Sequence, residues 1–258
     1  RWQASFAIET KVFLDRAKEL VIARAHFPEL FAGYIHHAAQ WKVLPQGDTL
    51  EHMKDCLAAT TLHLACQPPD LHTAWTLNTL EPARNYFMAG DNSEFAITGQ
   101  VFWENVKTGD NNRLFLETQR PKHEPTRSAV QVEGREILPL FEQFFERSDQ
   151  IPTRLFHLGD EEYAFLQGLP QADRAWIMGL DLEQVQTYLS GDGFEPVETR
   201  HYQFRCNCNS QRILHIMHGM FRARKEELFQ GAADVEVVCP RCGQRFSITQ
   251  AAFLYLDN

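Results

Sequence analysis

Apolar residues recur at helical spacing between residues 11 and 44: Phe13, Leu14, Ala17, Leu20, Val21 and Ala25, then Phe31, Tyr34 and Ile35 beyond Pro28. The spacing predicts two helices separated at the proline. Thr49 as a cap, followed by Met53, Leu57, Thr60 and Leu64, predicts a third helix over 49–66, ended by the Pro68-Pro69 pair. From His72 to Val132 the texture changes. Short alternating stretches (AWTLN, EFAITGQVFW, RLFLET, SAVQV) are separated by Gly, Asn, Asp and Pro clusters, which predicts a meander of antiparallel strands. A further amphipathic pattern begins at Glu133, with Ile137, Phe141, Phe144 and Phe145 on one side, and should lie across one face of the sheet. After a turn from Ser148 to Pro152, TRLFHL and EYAFLQGL read as two more strands.

Residues 171–200 are polar and acidic, with one short helical pattern (Leu182, Val185, Leu189) followed by Gly191 and Gly193. They read as a linker. The chain is therefore expected to be α+β: a mixed helix and antiparallel-sheet core domain over 1–170, a helical linker over 171–200, and a small metal-binding domain over 201–258.

Composition narrows the class. Hydrophobic residues at 44% and charged residues at 23% are ordinary for a folded globular chain and exclude a disordered or fibrous one. The longest uncharged stretch, Cys56 to Pro69, is broken by a histidine, a glutamine and two prolines, so no membrane-spanning helix is expected. No basic, apolar leader pattern is visible, which makes the cytoplasm the expected compartment, although the start at Arg1 rather than Met leaves room for a trimmed leader. A net charge of -9 repels polyanions and argues against nucleic acid as a main partner. The last 58 residues are different, with seven Lys/Arg against five Asp/Glu, a surplus that four metal-bound thiolates would bring back to about neutral.

Four of the six cysteines lie in that final segment, as Cys206-x-Cys208 and Cys239-x-x-Cys242. Four thiolates brought to one point suit Zn²⁺, which takes tetrahedral sulfur ligands. The Cys-Pro-x-Cys-Gly form of the second pair is that of a metal knuckle, whose glycine lets backbone amides approach the sulfurs. Three readings stand at this point. Two structural disulfides fit poorly with a chain lacking a secretion signal. A purely structural zinc site would supply the stability that so small a segment cannot draw from its own core. Alternatively the zinc-held thiolates are oxidisable sensors, since a disulfide cannot hold the metal.

Other candidates carry less. Cys56 and Cys66, ten apart at the third helix, read as core cysteines. His201, His215 and His218 flank the first metal pair but are superfluous beside four thiolates, and His36-His37 has no acidic or cysteine companion at ligand spacing. Nucleotide-loop, serine-hydrolase, HExxH and dinucleotide motifs are missing from the sequence.

Two segments go further than spacing does. EGREILPLFEQFFERSDQIPTRLF, Glu133 to Phe156, resembles the segment of the heat-shock protein 33 family in which a Glu-Gly pair precedes an amphipathic helix and a Ser-Glu-Gln-Leu-Pro-Thr turn, here Ser148 to Thr153. The same family ends in C-x-C, a helical stretch with Glu-Glu-Leu, and C-x-x-C-G, here Cys206 to Cys208, Glu226 to Leu228, and Cys239 to Gly243. The segment NYFMAGDNSEFAITGQVFW is similar to the family's sheet more loosely. The linker is shorter than is usual in the family, Thr79-Leu80-Glu81-Pro82 stands in place of its Gly-Asp-Gly-Pro turn, and the first 50 residues match poorly.

The resemblance implies a redox-regulated holdase chaperone that works without ATP and is not an enzyme. Cys206, Cys208, Cys239 and Cys242 would bind Zn²⁺ when reduced and form a disulfide within each pair when oxidised. Metal release would then destabilise the linker and free apolar surface for unfolding client proteins. Client-binding residues are not identified, and a homodimer of oxidised chains is left open. The competing expectations are a constitutive protein-binding module with a purely structural zinc site and an enzyme with its site hidden among the strands.

Overall fold

The structure, a computed structural model, describes residues 7–256. Strands β1 (Ala7–Asp15) and β2 (Leu20–His26) open the chain as a hairpin, whose turn is held by Asp15 accepting the backbone N–H groups of Ala17 and Lys18. This corrects the helix expected from residue 11 to Pro28. Along β1 the buried Ile8, Thr10 and Val12 alternate with Glu9 and Lys11, as one covered face requires. On β2, Leu20 and Ile22 enter one hydrophobic cluster while Ala23 and Ala25 enter another. A strand covered on both faces loses its alternation and reads equally well as a helix.

Helix α1 (Pro28–Gln40) begins at Pro28. That proline opens the helix because its fixed φ and missing N–H cost nothing in the first turn. Helix α2 (Asp48–Ala65) matches the third predicted helix, but Gly47 rather than Thr49 is its N-cap. It is buried nearly all round from Met53 onward, as a helix laid between a sheet and other helices must be.

The predicted meander follows: β3 (His72–Leu80), β4 (Ala83–Asp91), β5 (Ala96–Phe102), β6 (Asn112–Gln119) and β7 (Thr126–Val132). Helix α3 (Ile137–Phe144) continues into a single wide turn over Phe145–Asp149. It packs Phe141, Phe144 and Phe145 around Trp75, with ring centroids 4.9–5.8 Å apart. Strands β8 (Thr153–Gly159) and β9 (Glu162–Gly168) close this part of the chain as expected.

The segment expected as linker carries α4 (Arg174–Gly179) and α5 (Leu182–Leu189), each opened by an aspartate cap, Asp173 and Asp181. Their Ile177, Leu180, Val185 and Leu189 pack on Leu20, Ile22, Phe156, Ala164 and Leu166. The chain then enters β10 (Glu195–Phe204), so the boundary expected between residues 200 and 201 falls inside a strand. All ten strands form one sheet in the order β7-β6-β3-β4-β5-β10-β1-β2-β9-β8. Every pairing is antiparallel except the short parallel contact of Gln203 and Phe204 with Ala96 and Ile97 of β5.

Few apolar side chains hold β10. Its buried residues are Arg200 and Tyr202. The Tyr202 hydroxyl donates to Asn92 Oδ1 at 2.6 Å, and Asn92 Nδ2 donates to the Leu64 carbonyl at 3.0 Å and the Pro68 carbonyl at 2.8 Å. Arg200 reaches the same Leu64 carbonyl and pairs with Glu198. The strand is thus pinned to the C-terminal end of α2 by polar groups, which are costly to break when buried. No helix among the described residues is long and apolar enough to cross a membrane.

His63 lies deep in this core, 5.2–5.4 Å from the rings of Trp75 and Phe145, and burial brings its pKa down from 6.5 to about 4. Below the unfolded value the unfolded chain takes up a proton that the folded chain refuses. Stability therefore falls as pH drops from 6.5 toward 4, by about 3 kcal/mol at the lower end. Urea midpoints measured across this range should show the loss, and a His63→Leu variant should lose that part of the pH dependence.

Candidate metal centre

Strand β10 delivers the first cysteine pair. Arg205 N–H still donates to the Ile97 carbonyl at 2.8 Å, after which the backbone leaves the sheet as Cys206-Asn207-Cys208. Asn209 then caps α6 (Ser210–Phe221) by accepting Arg212 N–H at 2.8 Å. A short helix α7 (Lys225–Phe229) leads into the hairpin of β11 (Asp234–Val238) and β12 (Arg245–Thr249), and α8 (Gln250–Tyr255) follows. The second pair sits at the tip of that hairpin. The hairpin ladder closes at Val238 opposite Arg245, and Cys239 N–H donates to the Gln244 carbonyl while Gly243 N–H donates to the Cys239 carbonyl.

The four sulfurs all lie within 4.8 Å of one another, with Cys206 to Cys239 at 4.0 Å and Cys208 to Cys242 at 3.6 Å. Sulfurs placed tetrahedrally about 2.3 Å from a central ion stand about 3.8 Å apart, so this donor set fits such an ion. All four are free thiols, Cys239 and Cys242 buried and Cys206 and Cys208 half-buried.

Electrostatics point the same way. The hydrogen bond from Cys208 is the main cause that brings the Cys206 thiol down to about 7, whereas Cys206, Cys208 and Cys239 push Cys242 well up. Sulfurs this close cannot all be thiolates unless a cation sits among them.

Around the sulfurs, Ile213, Phe229, Phe246, Ile248 and Phe253 make a small separate core that includes Cys239 and Cys242. A cavity of about 500 Å³ opens beside the centre. Its walls include Cys206, Cys208, Cys239, Thr98, Ile216 and Arg241, while Cys242 takes no part in them.

The structure brings together the four cysteines that the spacing singled out. The histidines take other roles. His215 contacts the Gln211 carbonyl, His218 lies 5.0 Å from the Phe253 ring and His201 faces Glu9. Cys56 is wholly buried and Cys66 partly so, and burial pushes both thiols up, Cys66 to about 12.

Sequence reasoning missed two neighbours of the second pair. His37 Nε2 lies 3.0 Å from the Cys242 carbonyl, and Gln100 Nε2 donates to the Pro240 carbonyl at 2.9 Å. Both contacts run to backbone atoms, for which ligand spacing offers no signal.

Comparison with known proteins agrees with this geometry. The family model described as Hsp33 protein matches residues 106–249, from the approach to β6 to the end of β12. The chain belongs to the Hsp33 family. Among its relatives, the 33 kDa chaperonin of Nitrosococcus oceani is 26% identical over 162 residues, covering 55% of this chain and 56% of that protein. The 33 kDa chaperonin of Chromobacterium violaceum is 27% identical over 156 residues, 52% of each. The matched part thus spans about half the length of these Hsp33 relatives. The crystal structure of the Thermotoga maritima 33 kDa chaperonin, a heat shock protein 33 homolog, shares the fold with a TM-score of 0.70 at 14% identity, over 97% of this chain and 99% of that one.

A metal held by this site predicts a sharp division among the thiols. Reduced protein should carry one metal ion per chain and resist alkylation. A chelator should then expose four of the six cysteines, leaving Cys56 and Cys66 protected until the core unfolds. Metal analysis and mass spectrometry of the alkylated chain check this.

Proposed function

We propose that this chain is an ATP-independent holdase chaperone for unfolding proteins, with Cys206, Cys208, Cys239 and Cys242 acting as Zn²⁺ ligands and oxidant sensors together. The observation that carries the reading is the convergence of four free thiols within 4.8 Å beside a cavity that reaches three of them. Membership of a family with relatives named 33 kDa chaperonin supports the chaperone part. When bound, zinc would supply roughly 10 to 16 kcal/mol of folding energy to a unit whose own core is a handful of side chains.

The chain's own residues do the rest. Small oxidants reach the sulfurs through the cavity. Each pair of thiolates, Cys206 with Cys208 and Cys239 with Cys242, gives up two electrons as one disulfide forms, while the O–O bond of one peroxide breaks and takes two protons from solvent to yield two waters. Disulfide sulfurs have no anionic lone pair to offer a metal, so the core around Phe229, Phe246 and Phe253 loses its support. In this reading residues 1–170 are the chaperone core, 171–200 the linker and 201–258 the metal domain. The linker helices α4 and α5 cover Leu20, Ile22, Phe156 and Leu166, and their release would bare an apolar face suited to non-specific capture. The cytoplasm, where thiols stay reduced, is the compartment in which such a sensor would be informative. No catalytic residue is needed.

Light scattering from a chemically denatured client diluted into buffer tests the proposal. Oxidised, zinc-free protein should suppress aggregation, and reduced, zinc-loaded protein should not. Equal suppression by both forms would make the zinc structural and the chaperone constitutive; suppression by neither would remove the chaperone reading.

A further inference from the structure

The second cysteine pair is gripped from outside its own domain. In the turn from Cys239 to Gly243 the Cys239 carbonyl is taken by Gly243 N–H. The carbonyls of Pro240 and Cys242 are taken by the core domain instead, by Gln100 on β5 and His37 on α1. A carbonyl can only accept, so His37 presents its Nε2–H tautomer there. Gln100 is only 3% exposed, which makes it a buried donor with one acceptor in the metal domain.

Gly243 permits this approach. It has φ +78, and a Cβ at this position would lie 2.8 Å from Val43 Cγ2 and 2.9 Å from Gln100 Oε1. The turn occupies the place where β10 departs from β5, since their pairing is limited to Gln203 with Ala96 and Phe204 with Ile97 while β5 continues to Phe102. The Phe204 ring lies tilted against His37 at 5.6 Å and edge-on to Tyr34 at 5.4 Å, so the same residue that ends the strand also braces the imidazole.

We propose that His37 and Gln100 are positioning residues that couple the metal site to the core domain. By holding the Pro240 and Cys242 carbonyls they keep the turn in the shape that aims both of its sulfurs inward. The inference rests on the zinc reading given above. Coupling free energies are reciprocal: if metal binding favours docking of the turn on His37 and Gln100, docking must favour metal binding to the same degree. Core residues more than a hundred positions away in sequence therefore set how tightly the cysteines keep their ion. Loss of the ion is in turn felt on β5 and α1.

The test is chelator competition on the full-length, zinc-loaded chain, comparing the parent protein with His37→Ala, Gln100→Ala, the double variant and His37→Gln. Zinc transfer is read from chelator absorbance, and thiol exposure from the alkylation rate. Two hydrogen bonds, one from a buried donor, correspond to about a ten-fold change in zinc retention. The double variant should release zinc at about ten-fold lower chelator concentration while keeping its far-ultraviolet circular dichroism. His37→Gln, which keeps an N–H donor, should recover part of the loss seen in His37→Ala. An unchanged midpoint in the folded double variant overturns the coupling and leaves the zinc reading standing. A parent protein that never takes up zinc overturns both. Should Gln100→Ala fail to fold, His37→Ala against His37→Gln decides alone, and equal midpoints for the two overturn the proposal.

Discussion

Sulfurs packed 3.6–4.0 Å apart are an unstable arrangement by themselves. Mutual repulsion forbids four negative charges, and a mixture of thiols and thiolates makes Cys206 more acidic and Cys242 more basic than a free thiol. The final sixty residues are organised around resolving this conflict. Helix α6 departs from one pair under an asparagine cap, the β11–β12 hairpin presents the other, and the few apolar residues left over pack on the sulfurs themselves. A core this small has no reserve. Its order is tied to whatever holds the sulfurs together, which is the physical basis for reading the site as a switch.

The core domain has the opposite character. Trp75, Phe141, Phe144, Phe145 and Phe165 cluster around α2 in a large continuous interior built of apolar side chains. One polypeptide thus joins a robust unit to a conditional one, and β10 is the piece shared by both. Its last residues are hydrogen-bonded into the sheet, and two positions later comes Cys206, the first of the four clustered cysteines. The clustered sulfurs thus adjoin a strand at the middle of the sheet rather than a loose tail.

Much of this was legible in the sequence. The meander from β3 to β7 showed because most of its strands alternate and each turn carries Gly, Asn or Pro, and the cysteine spacing singled out the four sulfurs that the structure brings together. Strands β1, β2, β10, β11 and β12 were hidden, and two of them show why. Strand β2 is covered on both sides, so its apolar run lacks the period that marks a strand. Strand β10 buries only Arg200 and Tyr202, a polar pair whose partners Asn92 and Leu64 lie more than a hundred residues upstream. The grip of His37 and Gln100 was invisible because backbone carbonyls are the same at every position.

The placement of β10 also bears on how the molecule is made. Ala7 pairs with Gln203, and β5 on the other side meets Phe204, so the centre of the sheet is left open until β10 has been synthesised. At the usual pace of translation, the nascent β1 waits about ten to forty seconds for its neighbour. Throughout that interval an unpaired strand edge emerges from the ribosome with nothing to cover it. A protein read here as a guardian of exposed chains is, during its own birth, one of the chains most in need of guarding.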